Sequence, residues 1–124
     1  MVKKQTALAK MWRDSLDIIV HEGVENPENG RTQFVEKTLY RNIPCRLSFR
    51  TPAQAIRVAR THGEYVTEIE QTVQLFLSPE VFIPPGSKIV VYHQGRKIEF
   101  ARSGEPAIFD RHQEVRVERF TRWA

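Results

Sequence analysis

Along most of the chain, apolar and polar residues alternate with a period of two, the pattern of a strand with one face in a core. In "IPCRLSF", Ile43, Cys45, Leu47 and Phe49 alternate with Pro44, Arg46 and Ser48. In "TEIEQTVQLFLSP", Ile69, Val73, Leu75 and Leu77 alternate with Glu68, Glu70, Thr72 and Gln74. "LDIIVHE" places Leu16, Ile18 and Val20 on one side, "TQFVEKTLY" predicts a further strand, and "QEVRVERFTRW" closes the chain with Val115 and Val117 opposite Arg116 and Glu118. "KIVVYH" and "RKIEFAR" read as a hairpin across Gln94-Gly95, since glycine there permits the tight reversal.

Two stretches depart from this period. In "TALAKMWRDSL", Leu8, Met11, Trp12 and Leu16 fall at helical spacing, which predicts one short amphipathic helix in an N-terminal extension over residues 1–15. "RTPAQAIRVARTHGEYV" has no clean strand period and reads as a long loop over residues 51–66 with one helical turn. Turn chemistry divides the rest. Gly23, Pro27, Asn29 and Gly30 mark a loop over residues 23–31, "RN" at 41–42 reads as a tight turn, Pro84, Pro85 and Gly86 make a stiff corner within 78–87, and "SGEPAIFD" makes another. The result is an all-β fold of six to seven strands with one N-terminal α-helix and no βαβ unit. A small antiparallel β-barrel, or a closed sandwich, satisfies it, because short half-apolar strands in an open sheet would leave adhesive edges.

Length and composition narrow the picture. A chain of 124 residues holds one domain, here residues 16–124, and 40% hydrophobic with 27% charged residues is a globular balance. The single cysteine, Cys45, allows no internal disulfide and falls on the apolar side of its strand, as a small core residue would. No apolar run approaches membrane-spanning length, and the start carries lysines without the apolar stretch of a signal peptide. The net charge of +4 is spread among interspersed acids and bases, a mixed solvated surface and not a basic stripe for DNA.

Candidate chemistry is sparse. His21, His62, His93 and His112 share no metal-binding spacing, and the one trio worth weighing, His93 and His112 across a sheet with Asp110, competes with ordinary strand-end histidines. Glu68 and Glu70 lie on one side of a strand, as a carboxylate pair or as a solvated face. No phosphate-cradling glycine motif occurs. The chain is therefore expected not to be an enzyme, with no catalytic or metal-ligating residue assigned and no cofactor. A different class stays open: an OB-like nucleic-acid-binding module, with Tyr92 and Phe100 as stacking aromatics and Arg96 and Lys97 at the turn between their strands.

Four phrases, "YRNIPCRLSF", "LFLSPEVFIPPGSKIVV", "FARSGEPAIFDRHQEV" and "ERFTRWA", resemble the small head-completion proteins of long-tailed phages and defective prophages of Gram-positive bacteria, typified by the PBSX-like prophage head-tail proteins of Bacillus. The similarity runs from about Leu16 to the C-terminus. It implies a β-barrel stopper, or head-closure, subunit in the neck of a virion, made in the bacterial host cytoplasm. Such a subunit would assemble in a ring, usually a dodecamer, between a portal-adaptor ring and a tail-completion protein, touch packaged DNA only non-specifically, and use no membrane. By position, residues 51–66 would form the channel or gating loop, with Thr51, Gln54, Arg57, Arg60, His62 and Glu64 exposed in it. The loops at 23–31 and 78–87 would contact the ring or its partners, through Glu25, Asn29, Arg31, Glu80, Phe82 and Pro85.

Overall fold

The computed structural model of the protein describes residues 11–50, 56–61, 63–69 and 72–123. It is all-β. In chain order the strands are β1 (Asp14–Glu25), β2 (Thr32–Arg50), β3 (Ile56–Thr61), β4 (Glu64–Ile69), β5 (Thr72–Leu77), β6 (Lys88–His93), β7 (Arg96–Arg102), β8 (Ala107–Ile108) and β9 (Gln113–Arg119). The main sheet runs β5-β2-β1-β6-β7-β9-β8, and β9 also pairs with β5. Six antiparallel strands thus close into a barrel, with β8 annexed to β9. Closure leaves no long open edge around the barrel wall.

The alternation seen in the sequence becomes the inside of the barrel. Leu16 and Ile18, Cys45 and Leu47, Leu75 and Leu77, Ile89 and Val91, Phe100, and Val115 and Val117 all point into one core. The stiff corner between β5 and β6 folds Val81 and Ile83 into the same cluster and so helps seal one end. Buried Gln113 holds that corner: its side-chain amide donates to the carbonyls of Ser78 (2.7 Å) and Val81 (2.6 Å). Arg102 adds a hydrogen bond to the Ile83 carbonyl at 2.9 Å. These bonds satisfy backbone groups that no strand can reach.

Three expectations are corrected. First, β1 begins at Asp14, so residues 14–16 at the end of the predicted helix are strand, and Leu16 is buried by its parity with Ile18. Among the described residues there is no α-helix: residues 11–13 of the predicted helix are not α-helical, and its remainder, residues 1–10, lies outside them. Second, "RN" is no turn. β2 runs for 19 residues straight through it, with Asn42 at φ 54. Opposite Ile18 the register slips twice, at Leu16/Ile18 and at Ile18/Ile19, each slip placing an extra residue on β2. These are β-bulges, and the Asp17 carboxylate accepts the Asn42 N–H at 2.9 Å to hold one in place. Asparagine tolerates positive φ in a bulge as readily as in a turn, so its signal was read on the wrong element.

Third, the predicted loop at 51–66 contains a second sheet. β3 and β4 pair from Ile56↔Ile69 to Thr61↔Glu64, reversing beside Gly63 at φ 82. β-branched residues at 56, 58, 61, 66, 67 and 69 favour strand, and the interposed arginines disguised that signal. The hairpin also takes Ile69 out of the barrel strand to which its parity assigned it.

Connectivity then fixes two ends. Where β1 meets β2 the hairpin runs far past the barrel, because β6 pairs only with residues 15–19 of β1 and β5 only with residues 45–50 of β2. Residues 20–25 and 32–38 form a two-stranded arm at this end, together with the β5–β6 corner. The β3–β4 hairpin leaves β2 at its opposite end, beyond the Arg50↔Thr72 pair.

Candidate functional site

Among the described residues, the barrel's cysteine and the histidines of β6 and of the turn before β9 are each engaged in local structure. Cys45 is fully buried, and burial together with the nearby Asp14 charge pushes its thiol up to about 12, so it stays protonated at neutral pH. His93 is bound to Asp14 through Nδ1 at 2.8 Å, while the other Asp14 oxygen accepts the Leu47 N–H at 2.9 Å. His112 bonds to Glu114 at 3.2 Å and stacks on Phe109 with centroids 4.7 Å apart. Each histidine is thus engaged locally. Among the described residues no three His, Cys, Asp or Glu side chains are grouped for a metal, so the trio of His93, His112 and Asp110 does not form. Glu68 stands in register with Arg57 in β4, and Glu70 lies outside the described residues. No helix among the described residues is long and apolar enough to cross a membrane.

The nucleic-acid platform fails on parity. Phe100 is 2% exposed and belongs to the core, whereas Tyr92 points outward and donates its hydroxyl to Asp17 at 3.2 Å. The two rings occupy opposite faces of the β6–β7 hairpin and cannot stack successive bases.

What remains is surface, and the richest of it is the arm. One face of the arm continues the outside of the barrel and is clasped by the C-terminal tail. His21 stacks against Trp123 at 4.7 Å and packs against Phe34 at 5.1 Å. Trp123 donates its indole N–H to Glu36 at 3.2 Å. Lys88, at the start of β6, reaches Glu36 at 2.8 Å and Glu99 at 3.4 Å, and lies 5.2 and 5.4 Å from the rings of Phe120 and Trp123. A cation between two carboxylates and two π faces ties arm, barrel and tail together. The same contacts shift both partners. The Lys88 hydrogen bond, helped by that of Trp123, holds the Glu36 carboxyl below its ordinary value, and the Glu36 hydrogen bond raises Lys88. Beside the clasp, Val20, His21, Phe34, Trp123 and residues 84–87 line a cleft of about 370 Å³. None of this network was visible in sequence, because Glu36, Lys88 and Trp123 are 35 or more residues apart and each reads as an ordinary surface residue.

Among the described residues, the opposite face of the arm has no such cover. It carries Val24 and Val35, 46% and 44% exposed, beside a loose Glu22–Lys37 pair at 3.9 Å. At its tip, Asn26 and Asn29 side chains accept the N–H groups of Glu28 and Arg31, which shapes the reversal. A second apolar patch lies on the β5–β6 corner and β8. Phe82, Ile108 and Phe109 are each at least half exposed, above a cavity of about 200 Å³ lined also by Pro79, Pro106 and Arg102.

The residues singled out from sequence therefore divide. Glu25 ends β1, Asn29 and Arg31 lie in the arm's tip, and Glu80, Phe82 and Pro85 lie on the corner at that same end. Arg57 and Arg60 lie in β3 and Glu64 opens β4, at the other end of β2. Thr51, Gln54 and His62 lie outside the described residues.

Comparison with known proteins adds the fold's relation. No family model matches the chain, and no curated protein matches it. A solved structure does: the phage-like element PBSX protein xkdH from Bacillus subtilis shares the fold with a TM-score of 0.50, covering 86% of this chain and 93% of that one at 11% identity.

Proposed function

We propose that this protein is a structural subunit of a phage or prophage neck: a head-completion, stopper-like component that joins the portal-adaptor ring to the tail-completion protein and helps close the DNA channel. The observation that carries this reading is a fold shared along nearly the full length of both chains with a PBSX phage-like element protein. The sequence phrases that resemble PBSX-like head-tail proteins point to the same group.

The geometry supports a subunit built for joints. A closed barrel gives a rigid body, and its connectivity sends one hairpin from each end of β2. In a ring, the β3–β4 hairpin with Arg57, Arg60 and Glu64 is the segment to face the channel. Its contacts to DNA would follow the phosphate backbone, indifferent to base sequence and weakened by salt. The arm and the β5–β6 corner, with Phe34, Phe82 and Ile108 exposed, are the surfaces to meet neighbouring subunits or the adjoining ring. Cyclic assembly makes each such contact heterologous, one patch against a different patch.

The test is depletion. Particles assembled without this protein should show filled heads that lose DNA and gain no tails, and purified protein should restore them. Normal tailed particles would end the proposal.

A further inference from the structure

We infer that copies of this chain join through their arms, the β1 edge of one arm (residues 20–25) pairing with the β2 edge (residues 32–38) of the arm on the next copy. Three observations carry this. The arm is a regular ladder, with unbroken register from Ile19↔Thr38 to Glu25↔Thr32, and the bulges occur only where it leaves the barrel. Neither edge pairs with another strand among the described residues, since β6 stops at Ile19 and β5 starts at Cys45. No proline interrupts either segment and neither is bulged, so two of the usual means of blunting an edge are absent, and the third, charge, is of opposite sign on the two edges. A two-stranded ribbon is marginal alone, and a third strand is what such a ribbon lacks.

The charges select a second copy as the occupant. The β1 segment carries Glu22 and Glu25. The β2 side carries Arg31 and Lys37; Glu36 is held by Lys88 and Lys37 is loosely paired with Glu22 of its own arm, so Glu25 and Arg31 are the charges left to select a neighbour. The acidic edge and the basic edge belong to one arm, so unlike edges meet only when copies follow one another in the same direction. Level copies of this kind repeat the arm's own up-and-down order. The junction is then antiparallel, like the arm itself, with Glu25 beside the neighbour's Arg31. On the covered face, Trp123 and residues 84–87 share a cleft with Val20 and His21, while residues 22–25 of β1 are exposed.

This inference rests on the ring reading, because only same-facing copies present unlike edges to each other. Two single variants of the full chain, Val24→Cys and Gln33→Cys, test it; the two positions are partners in the arm's register. Mixed at high concentration under mild oxidation, they should give a disulfide between unlike variants, while each alone gives none, Cys45 being buried. Sedimentation of the unaltered chain should show concentration-dependent association, weakened about fivefold by Glu25→Lys and restored by adding Arg31→Glu. A monomer at every concentration, or disulfides between like variants, would overturn the proposal. An arm that does not link, together with particles that fail to gain tails, would discard the edge contact and keep the neck role; linked arms with normal particles would do the reverse.

Discussion

The barrel and the arm are made from the same two strands, and they differ in what their inward parity meets. Leu16 and Ile18 on β1, and Cys45 and Leu47 on β2, are at most 5% exposed because β5 and β6 continue the wall on either side. Further along the same strands, Val24 and Val35 keep that parity and are nearly half exposed, because no wall of the described residues continues there. The period of two thus specifies a strand in both regions but burial in only one. The barrel's alternation is used for folding, and the arm's is available for contact.

The sharpest way to break that contrast is to damage the barrel. Phe100→Ala removes a ring from the centre of the core, where closure prevents collapse, and should cost about 3–5 kcal/mol in denaturant unfolding. The barrel end is the next most sensitive point. Gln113→Leu is similar in size but strips both donors from the Ser78 and Val81 carbonyls, and should cost about 1–3 kcal/mol. Faster amide exchange confined to residues 78–87 would show that Gln113 holds the corner; unchanged exchange there would show that it does not.

These two residues also mark what the sequence made legible. The all-β class and closed antiparallel architecture followed from alternation alone, and the Gln94-Gly95 turn and the proline corner were readable from local chemistry. Gln94 and Gly95 both adopt positive φ, as a two-residue hairpin turn needs. The long β2 was not readable, because Arg41-Asn42 looks like a turn and the bulge that absorbs Asn42 is held by a carboxylate 25 residues away. The β3–β4 hairpin was missed because arginines interrupt its apolar pattern. The clasp was missed for a different reason: it is assembled from residues 21, 34, 36, 88, 120 and 123, and no periodicity relates a tail tryptophan to a strand it crosses.

The clasp sits between barrel and arm, and acidity or alkalinity should open it without unfolding the barrel. Glu36 is held below its ordinary 4.5 in the folded chain, so its contribution is present above that pH and is lost as pH falls through the depressed value. Lys88 is raised above its ordinary 10.5, so its contribution is present below that pH and is lost as pH rises through the raised value. The arm should therefore be held most firmly across the intervening range. In a Trp12→Phe variant, Trp123 emission should report release of the tail at both extremes. Glu36→Gln should remove the acid transition while circular dichroism of the barrel stays constant.

The smallest expected effect is the one that separates the two regions most cleanly. Val35→Thr keeps a β-branched strand former and removes apolar surface that is 44% exposed. It should change unfolding free energy by less than about 0.5 kcal/mol, as substitutions away from core features do. Leu47→Ala, on the same strand but 5% exposed, should cost about 2–5 kcal/mol. If Val35→Thr proves as costly as Leu47→Ala, the arm is part of the folding core and its apolar face is not reserved for a partner. If the fold is indifferent to Val35 but tail attachment falls, the same alternating pattern serves stability at one end of β2 and assembly at the other.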